Sequence, residues 1–205
     1  MATVAGPALS FDASGKFGGT LVFSKWKGRP VVRQLVIPAN PKTAAQTAVR
    51  AAMRWGSREW AQLSAVEQAT WEAPAKPTNI LPFNAFIKQG QDNIAQDMGY
   101  QSEYPAPTAA APGIVTAPAA TGGAGQADLS WVDSLGANDF GHIVYAALNA
   151  VVTPSPQNIR GIADMTDLGI IIRELEPGTW HFKVKTFNTA GVLGTATADF
   201  TATVT

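Results

Sequence analysis

The chain has 205 residues, no cysteine, two histidines and a formal net charge of zero. Without cysteine there can be no disulfide or thiolate metal site, and His142 and His181 alone are too few to anchor an ordinary zinc centre, so no cofactor is expected. The first ten residues lack a cationic start followed by an apolar core, and no apolar run approaches the ~20 residues of a membrane span, so a soluble protein with neither signal peptide nor membrane partner is expected. The length suits two domains of ~100 residues each. The neutral total hides an asymmetry: residues 1–101 hold 11 Lys+Arg against 6 Asp+Glu, whereas residues 102–205 hold 4 against 9. Such a split favours head-to-tail docking or an acidic partner for the first half; two plain solvated surfaces are the other reading.

Residues 1–40 read as an arm followed by a β-hairpin. Thr20–Trp26 and Pro30–Ile37 are apolar, β-prone runs flanking Lys27-Gly28-Arg29, a short glycine-containing connection. An isolated hairpin is marginal in water, so this one needs a partner. Lys16, Lys25, Lys27, Arg29 and Arg33 fall here with no acid among them, and Phe17, Phe23 and Trp26 are interleaved. That mixture reads first as core with a solvated rim, next as a protein interface and last as a stacking surface for single-stranded nucleic acid.

A three-helix module is expected over 41–101. Asn40-Pro41 reads as cap and first residue of a helix whose apolar stripe is Val49, Met53, Gly56, Trp60 and Leu63. Ser64-Ala-Val-Glu67 is a capping-box pattern and starts a second helix carrying Trp71. Pro82 opens a third, with Phe83, Phe86, Ile87, Ile94 and Met98 as its stripe. Arg50, Arg54 and Arg58 recur every four residues, forming a basic ribbon suited to an acidic surface or simply to solvent.

Residues 102–125, rich in Pro, Ala, Gly and Thr, read as a linker that merges into a first strand near Ile114-Val115, placing a domain boundary near residue 105. Beyond it, strand signals recur at Ala127–Val132, His142–Leu148, Leu168–Arg173, Thr179–Phe187 and Ala196–Val204. Trp180, Phe182, Val184, Thr186 and Asn188 alternate with His181, Lys183, Lys185 and Phe187, the period of a half-buried antiparallel strand. Burying Trp180, Phe182 and Val184 contributes roughly 1.5–3 kcal/mol each. The pattern is that of an all-β sandwich over 112–205, and the fold class is α+β. Leu129-Ser-Trp131, Leu175, Pro177-Gly178-Thr179 and the alternation ending at Gly191 resemble the strand-B tryptophan, the E–F corner and strand F of a fibronectin type III domain. Trp180 stands where that family usually has its corner tyrosine; an indole donates through its N–H but lacks the reach and acceptor capacity of a phenol. There is no Arg-Gly-Asp tripeptide, so the resemblance does not extend to integrin-type adhesion.

No nucleophile elbow, phosphate-binding loop or paired-histidine metalloprotease motif occurs, and Asp164-Met-Thr-Asp167 lacks the ligand pattern of a calcium loop, so no enzyme is expected. Gly19-Thr-Leu-Val-Phe-Ser-Lys-Trp-Lys-Gly28, Val31-Val-Arg33, Pro38-Ala-Asn-Pro-Lys-Thr-Ala-Ala-Gln46, Trp60, Leu63, Trp71 and Asn84-Ala-Phe-Ile87 resemble small proteins encoded among tailed-phage structural genes. With a fibronectin-like domain, a common appendage of such proteins, the resemblance implies a virion structural protein assembled in the host cytoplasm. Its first form is a capsid decoration protein gripping other virion proteins through Lys25, Trp26, Lys27, Arg29, Arg33, Arg50, Arg54 and Arg58. A tail or fibre component touching host glycans through Phe187 or nearby loops is the second form, and a nucleic-acid-binding accessory the third and least favoured. Self-association into a homo-oligomer is compatible with each.

Overall fold

The computed structural model describes residues 2–3, 14–37, 40–132, 136 and 138–205, and divides the chain into two compact units, residues 1–41 and 42–205. The arm expected ahead of the hairpin falls largely on residues 4–13, outside the described residues, as do Pro38 and Ala39.

The first unit is a four-stranded antiparallel sheet. Its strands are β1 (Ala2–Thr3), β2 (Gly15–Phe17), β3 (Leu21–Trp26) and β4 (Arg29–Gln34), in the spatial order β1-β4-β3-β2. The β3–β4 hairpin turns on Lys27-Gly28, both at positive φ (49° and 77°), the handedness that matches strand twist in a two-residue turn. Glycine supplies this at no steric cost and lysine at a small one.

The second unit is α+β. Its helices are α1 (Ala44–Glu59), α2 (Ala65–Thr70), α3 (Glu72–Ala75) and α4 (Pro82–Ala95). Strands β5 (Thr116–Gly123), β6 (Gln126–Val132) and β9 (Gly169–Arg173) form one antiparallel sheet in the order β5-β6-β9. Strands β7 (Asp139–Leu148), β8 (Ile159–Asp164), β10 (Gly178–Asn188) and β11 (Phe200–Val204) form another in the order β11-β10-β7-β8. Ala127, Leu129, Trp131 and Ile172 from the first meet Val144, Trp180, Phe182, Val184 and Val204 from the second in one buried cluster. The indole of Trp180 donates to the carbonyl of Glu176 at 2.9 Å, so the corner residue keeps a backbone bond without a hydroxyl.

The expected boundary near residue 105 is corrected by what lies on the other face of the four-stranded sheet. Ile143, Tyr145, Ile159, Ile162 and Phe187 pack there against Trp55, Trp71, Phe86 and Tyr100 in a second core. The second unit is therefore three-layered, helices on sheet on sheet, and the four-stranded sheet is buried on both sides. Residues 102–115 are tied down rather than acting as a spacer: Ser102 N–H donates to Thr189 O (2.9 Å), Asn188 Nδ2 to Ala110 O (2.7 Å) and Gly113 N–H to the Asp139 carboxylate (3.2 Å). The segment from Thr116 on is strand β5, and Val115 is already in the sandwich core.

Three further expectations change. Lys42 sits at φ 49°, outside helical geometry, so Thr43 rather than Asn40 caps α1, its hydroxyl accepting from Gln46 N–H. Val49 and Met53 are exposed, and the inward face of α1 is Ala48, Ala52, Trp55, Gly56 and Glu59. Small residues let the helix lie close to β8 while Trp55 fills the volume, and the sequence stripe, weighted by side-chain size, chose a neighbouring face. Met98 likewise stays partly exposed beyond the end of α4. The capping box at Ser64 and Glu67 and the start of α4 at Pro82 form as expected.

Tyr100 locks the helical layer. Its ring lies fully buried between α1 and α4, and its hydroxyl donates to Ala52 O at 3.0 Å. Gly90 leaves the space for that ring, because a Cβ there would run into it. Gly90→Ala is expected to destabilise the protein by roughly 1–3 kcal/mol, the usual cost of overpacking, whereas helix propensity alone predicts a gain. Chemical denaturation decides the sign.

Candidate partner-binding surfaces

The described residues of the first unit form little core. Val31 is its one buried hydrophobic residue among those described, while Phe17, Trp26, Val36 and Ile37 are 68%, 61%, 73% and 82% exposed. The register assigns faces, because residues paired across strands project to the same side. Trp26 pairs with Arg29, Val22 with both Arg33 and Lys16, and Ser24 with Val31, so Lys16, Trp26, Arg29 and Arg33 share one face. Phe17, Leu21, Phe23, Val32 and Lys25 share the other, and Lys27 stands at the turn. Trp26, Arg29 and Arg33 of the expected interface residues are thus brought together, and Lys25 is turned away from them. Between them the two faces offer a basic surface with an indole and an apolar strip.

In the second unit, Arg50, Arg54 and Arg58 are all exposed along α1, as a four-residue repeat requires. They do not lie on an open surface. They form one wall of a groove of about 400 Å³, whose opposite wall is β9 with its flanks Asp167 and Glu174, and whose side includes Arg160, Gly161 and Ile162 of β8. Arg58 is engaged with Asp164 (2.8 Å) and Asp167 (3.3 Å), and Lys42 with Glu174 (3.1 Å). Arg160 donates to the carbonyls of Gln157 and Ile159, each at 3.2 Å, and stands 6.0 Å from the Trp180 ring centroid; burial pushes its pKa down. Sequence reading missed Arg160 as a member of this site because it missed β8; Arg173 lay at the end of an expected strand, and nothing local says that this strand faces α1. The apolar content of Ile159–Ala163 was the available signal, obscured by Pro154 and Pro156 just before it.

Behind Arg58 lies a buried acidic pair. Glu59 and Asp164 are each 8% exposed, and Glu59 is pushed up to about 7, first by burial and next by the Asp164 charge. Gln62 Nε2 donates to Asp164 Oδ2 at 3.4 Å, and Asp164 Oδ1 is buried. A protonated Glu59 supplies the donor that pairs the two carboxyl groups. Both sit where α1 packs against β8.

Phe187 is corrected. Expected as a display-face contact, it is fully buried, 5.3 Å ring to ring from Trp55. It does point away from the sandwich interior, as the alternation of β10 requires, but the helical layer covers that side. Lys185 on the same side reaches Asp97 at 3.3 Å and lies over the Tyr145 ring. Among the described residues no three His, Asp or Glu side chains gather where they could hold a metal, and no helix is long and apolar enough to cross a membrane.

No family model matches the chain, and no curated protein matches it. Among solved structures it is similar to a β-1,2-glucanase from Parabacteroides distasonis, with 11% identity and a TM-score of 0.42 over 50% of this chain and 14% of that one. It is also similar to the chicken CNTN1 FN1-FN3 domains, with 15% identity and a TM-score of 0.41 over 48% of this chain and 34% of that one. The spore cortex lytic enzyme SleM of Clostridium perfringens gives 14% identity and a TM-score of 0.36, over 45% and 28% of the two chains. The chain thus spans well under two thirds of each of these proteins.

Proposed function

We propose that this is a non-enzymatic structural protein of a tailed-phage particle, a capsid decoration protein anchored by its first unit and displaying the second. The observation that carries the reading is the first unit itself: its described residues leave Phe17, Trp26, Val36 and Ile37 in water and bury little apolar area, which docking would add. The cationic character of the Trp26, Arg29 and Arg33 face selects an acidic protein surface as partner. The displayed unit is read as fibronectin type III-like. In support are a three- and a four-stranded antiparallel sheet packed face to face, Trp131 buried on β6, and a corner indole bonded to the backbone. A glycan contact through Phe187 is not part of the proposal, since that ring is buried.

Cosedimentation with particles stripped of this protein tests the anchoring. Arg29→Glu with Arg33→Glu is expected to weaken particle binding by at least tenfold, and wild-type binding is expected to fall as salt rises. Binding indifferent to both charge reversal and salt would remove the acidic-surface reading. Retention of the double variant on polyanionic nucleic acid is not expected to matter, because the particle surface is the partner.

A further inference from the structure

The groove beside α1 has a property that an open basic surface lacks: its far wall is an unpaired strand edge. Trp131 N–H donates to Leu168 O at 3.0 Å, which fixes the alternation of the β6–β9 ladder. In that register the backbone groups of Ile170 and Ile172 face β6, and those of Ile171 and Arg173 face outward, toward the groove. Strand β9 ends its sheet, and among the described residues no backbone bond is made to that outer edge.

Two lengths are comparable. From Thr47 to Arg58 helix α1 covers about 16 Å at 1.5 Å per residue, and from Gly169 to Arg173 strand β9 covers about 13 Å at 3.3 Å per residue. Basic residues four apart on α1 recur every ~6 Å, close to the ~6.6 Å between side chains on one face of an extended chain. The ion pairs Lys42–Glu174 and Arg58–Asp167 stand at the two ends. Between them, among the described residues, no carboxylate is paired with Arg54, and Arg160, partly desolvated, donates to backbone carbonyls.

We propose that this groove binds an extended acidic peptide segment, which adds as a strand to the outer edge of β9 and sets alternate carboxylates against Arg54 and Arg160. Main-chain hydrogen bonds to Ile171 and Arg173 supply register, and the guanidinium groups select acidic side chains at every second position. The exposed side chain of Ile171 supplies an apolar contact for the same segment. The site lies wholly in the second unit and is independent of the particle-anchoring proposal.

The test uses the full chain and a capped, fluorescently labelled hexapeptide, Glu-Val-Glu-Val-Glu-Val. Controls are its Lys-for-Glu counterpart and a version with proline at the second and fourth positions. Saturable binding is expected for the first peptide, with at least tenfold weaker binding for both controls. Arg54→Glu, an exposed substitution checked for unchanged Tm, is expected to weaken binding at least tenfold. The amides of Ile171 and Arg173 are expected to gain protection from hydrogen exchange on binding. No binding, binding unaffected by Arg54→Glu, or equal binding of the proline peptide would overturn the proposal. Binding without protection at Ile171 and Arg173 would overturn strand addition and leave only attraction between opposite charges.

Discussion

Phe187→Ala is expected to destabilise the second unit by about 3–5 kcal/mol, the range for truncating a buried aromatic residue. Phe187 lies ring to ring with Trp55 at 5.3 Å and with Phe140 at 6.0 Å, so its loss opens a cavity where helices and sheet meet. The same substitution on a separate sandwich domain, with Phe187 in solvent, would change stability by less than about 0.5 kcal/mol. Urea denaturation followed by tryptophan fluorescence distinguishes the two. A single transition moving to lower urea, with the helical signal lost in the same step, is the result expected of three layers sharing one cooperative core. An unchanged midpoint, or helices that melt separately from the sandwich, would overturn that description.

The second large effect concerns Glu59. Because its folded-state pKa is raised from 4.5 to about 7, the folded protein keeps a proton that the unfolded chain has released. Below pH 4.5 both states are protonated and the contribution is fully present; it is lost as pH rises from 4.5 through about 7, and stability falls over that window. The groups facing Glu59 are Asp164 on β8, Arg58 on α1 and Glu67 on α2; the two acids reinforce the shift and Arg58 opposes it. Glu59→Gln keeps a donor for Asp164 and removes the titration. Relative to wild type, the variant is expected to gain on the order of 2–3 kcal/mol between pH 4.5 and pH 8. Chemical denaturation of both proteins at pH 5, 6, 7 and 8 measures the difference. A constant difference across that range would show that Glu59 is ionised throughout.

Local signals carried a good part of the architecture. The alternation from Trp180 to Asn188 placed the inner face of β10, and Leu129-Ser-Trp131 placed β6, because a half-buried strand has to alternate. Ser64 and Glu67 started α2 because a capping box is satisfied by residues three apart in the chain. These features depend on neighbours within a few residues, so a sequence contains them.

What neighbours across the fold decide was not legible in the same way. The outward residue Phe187 looked like a display contact because its strand alone does not say that helices cover it. The unbroken apolar run from Ile143 to Leu148 was a hint that the sheet is buried on both faces, since a strand with a wet side alternates. Residues 102–125 read as a linker by composition, but 102–115 are held by Thr189, Asn188 and Asp139, all distant in sequence, and Thr116–Gly123 is a strand.

The sequence by itself determined the α+β class, most of the strands, the basic hairpin and the arginine repeat of α1, because periodicity, turn chemistry and charge are properties of short stretches. Only the tertiary structure decided that the helices share a core with the sandwich, that Glu59 meets Asp164, and that the arginine repeat faces the open edge of β9. The physical reason is that burial, desolvation and an unpaired strand edge are created by segments about a hundred residues apart coming together, and no stretch of chain encodes its own covering.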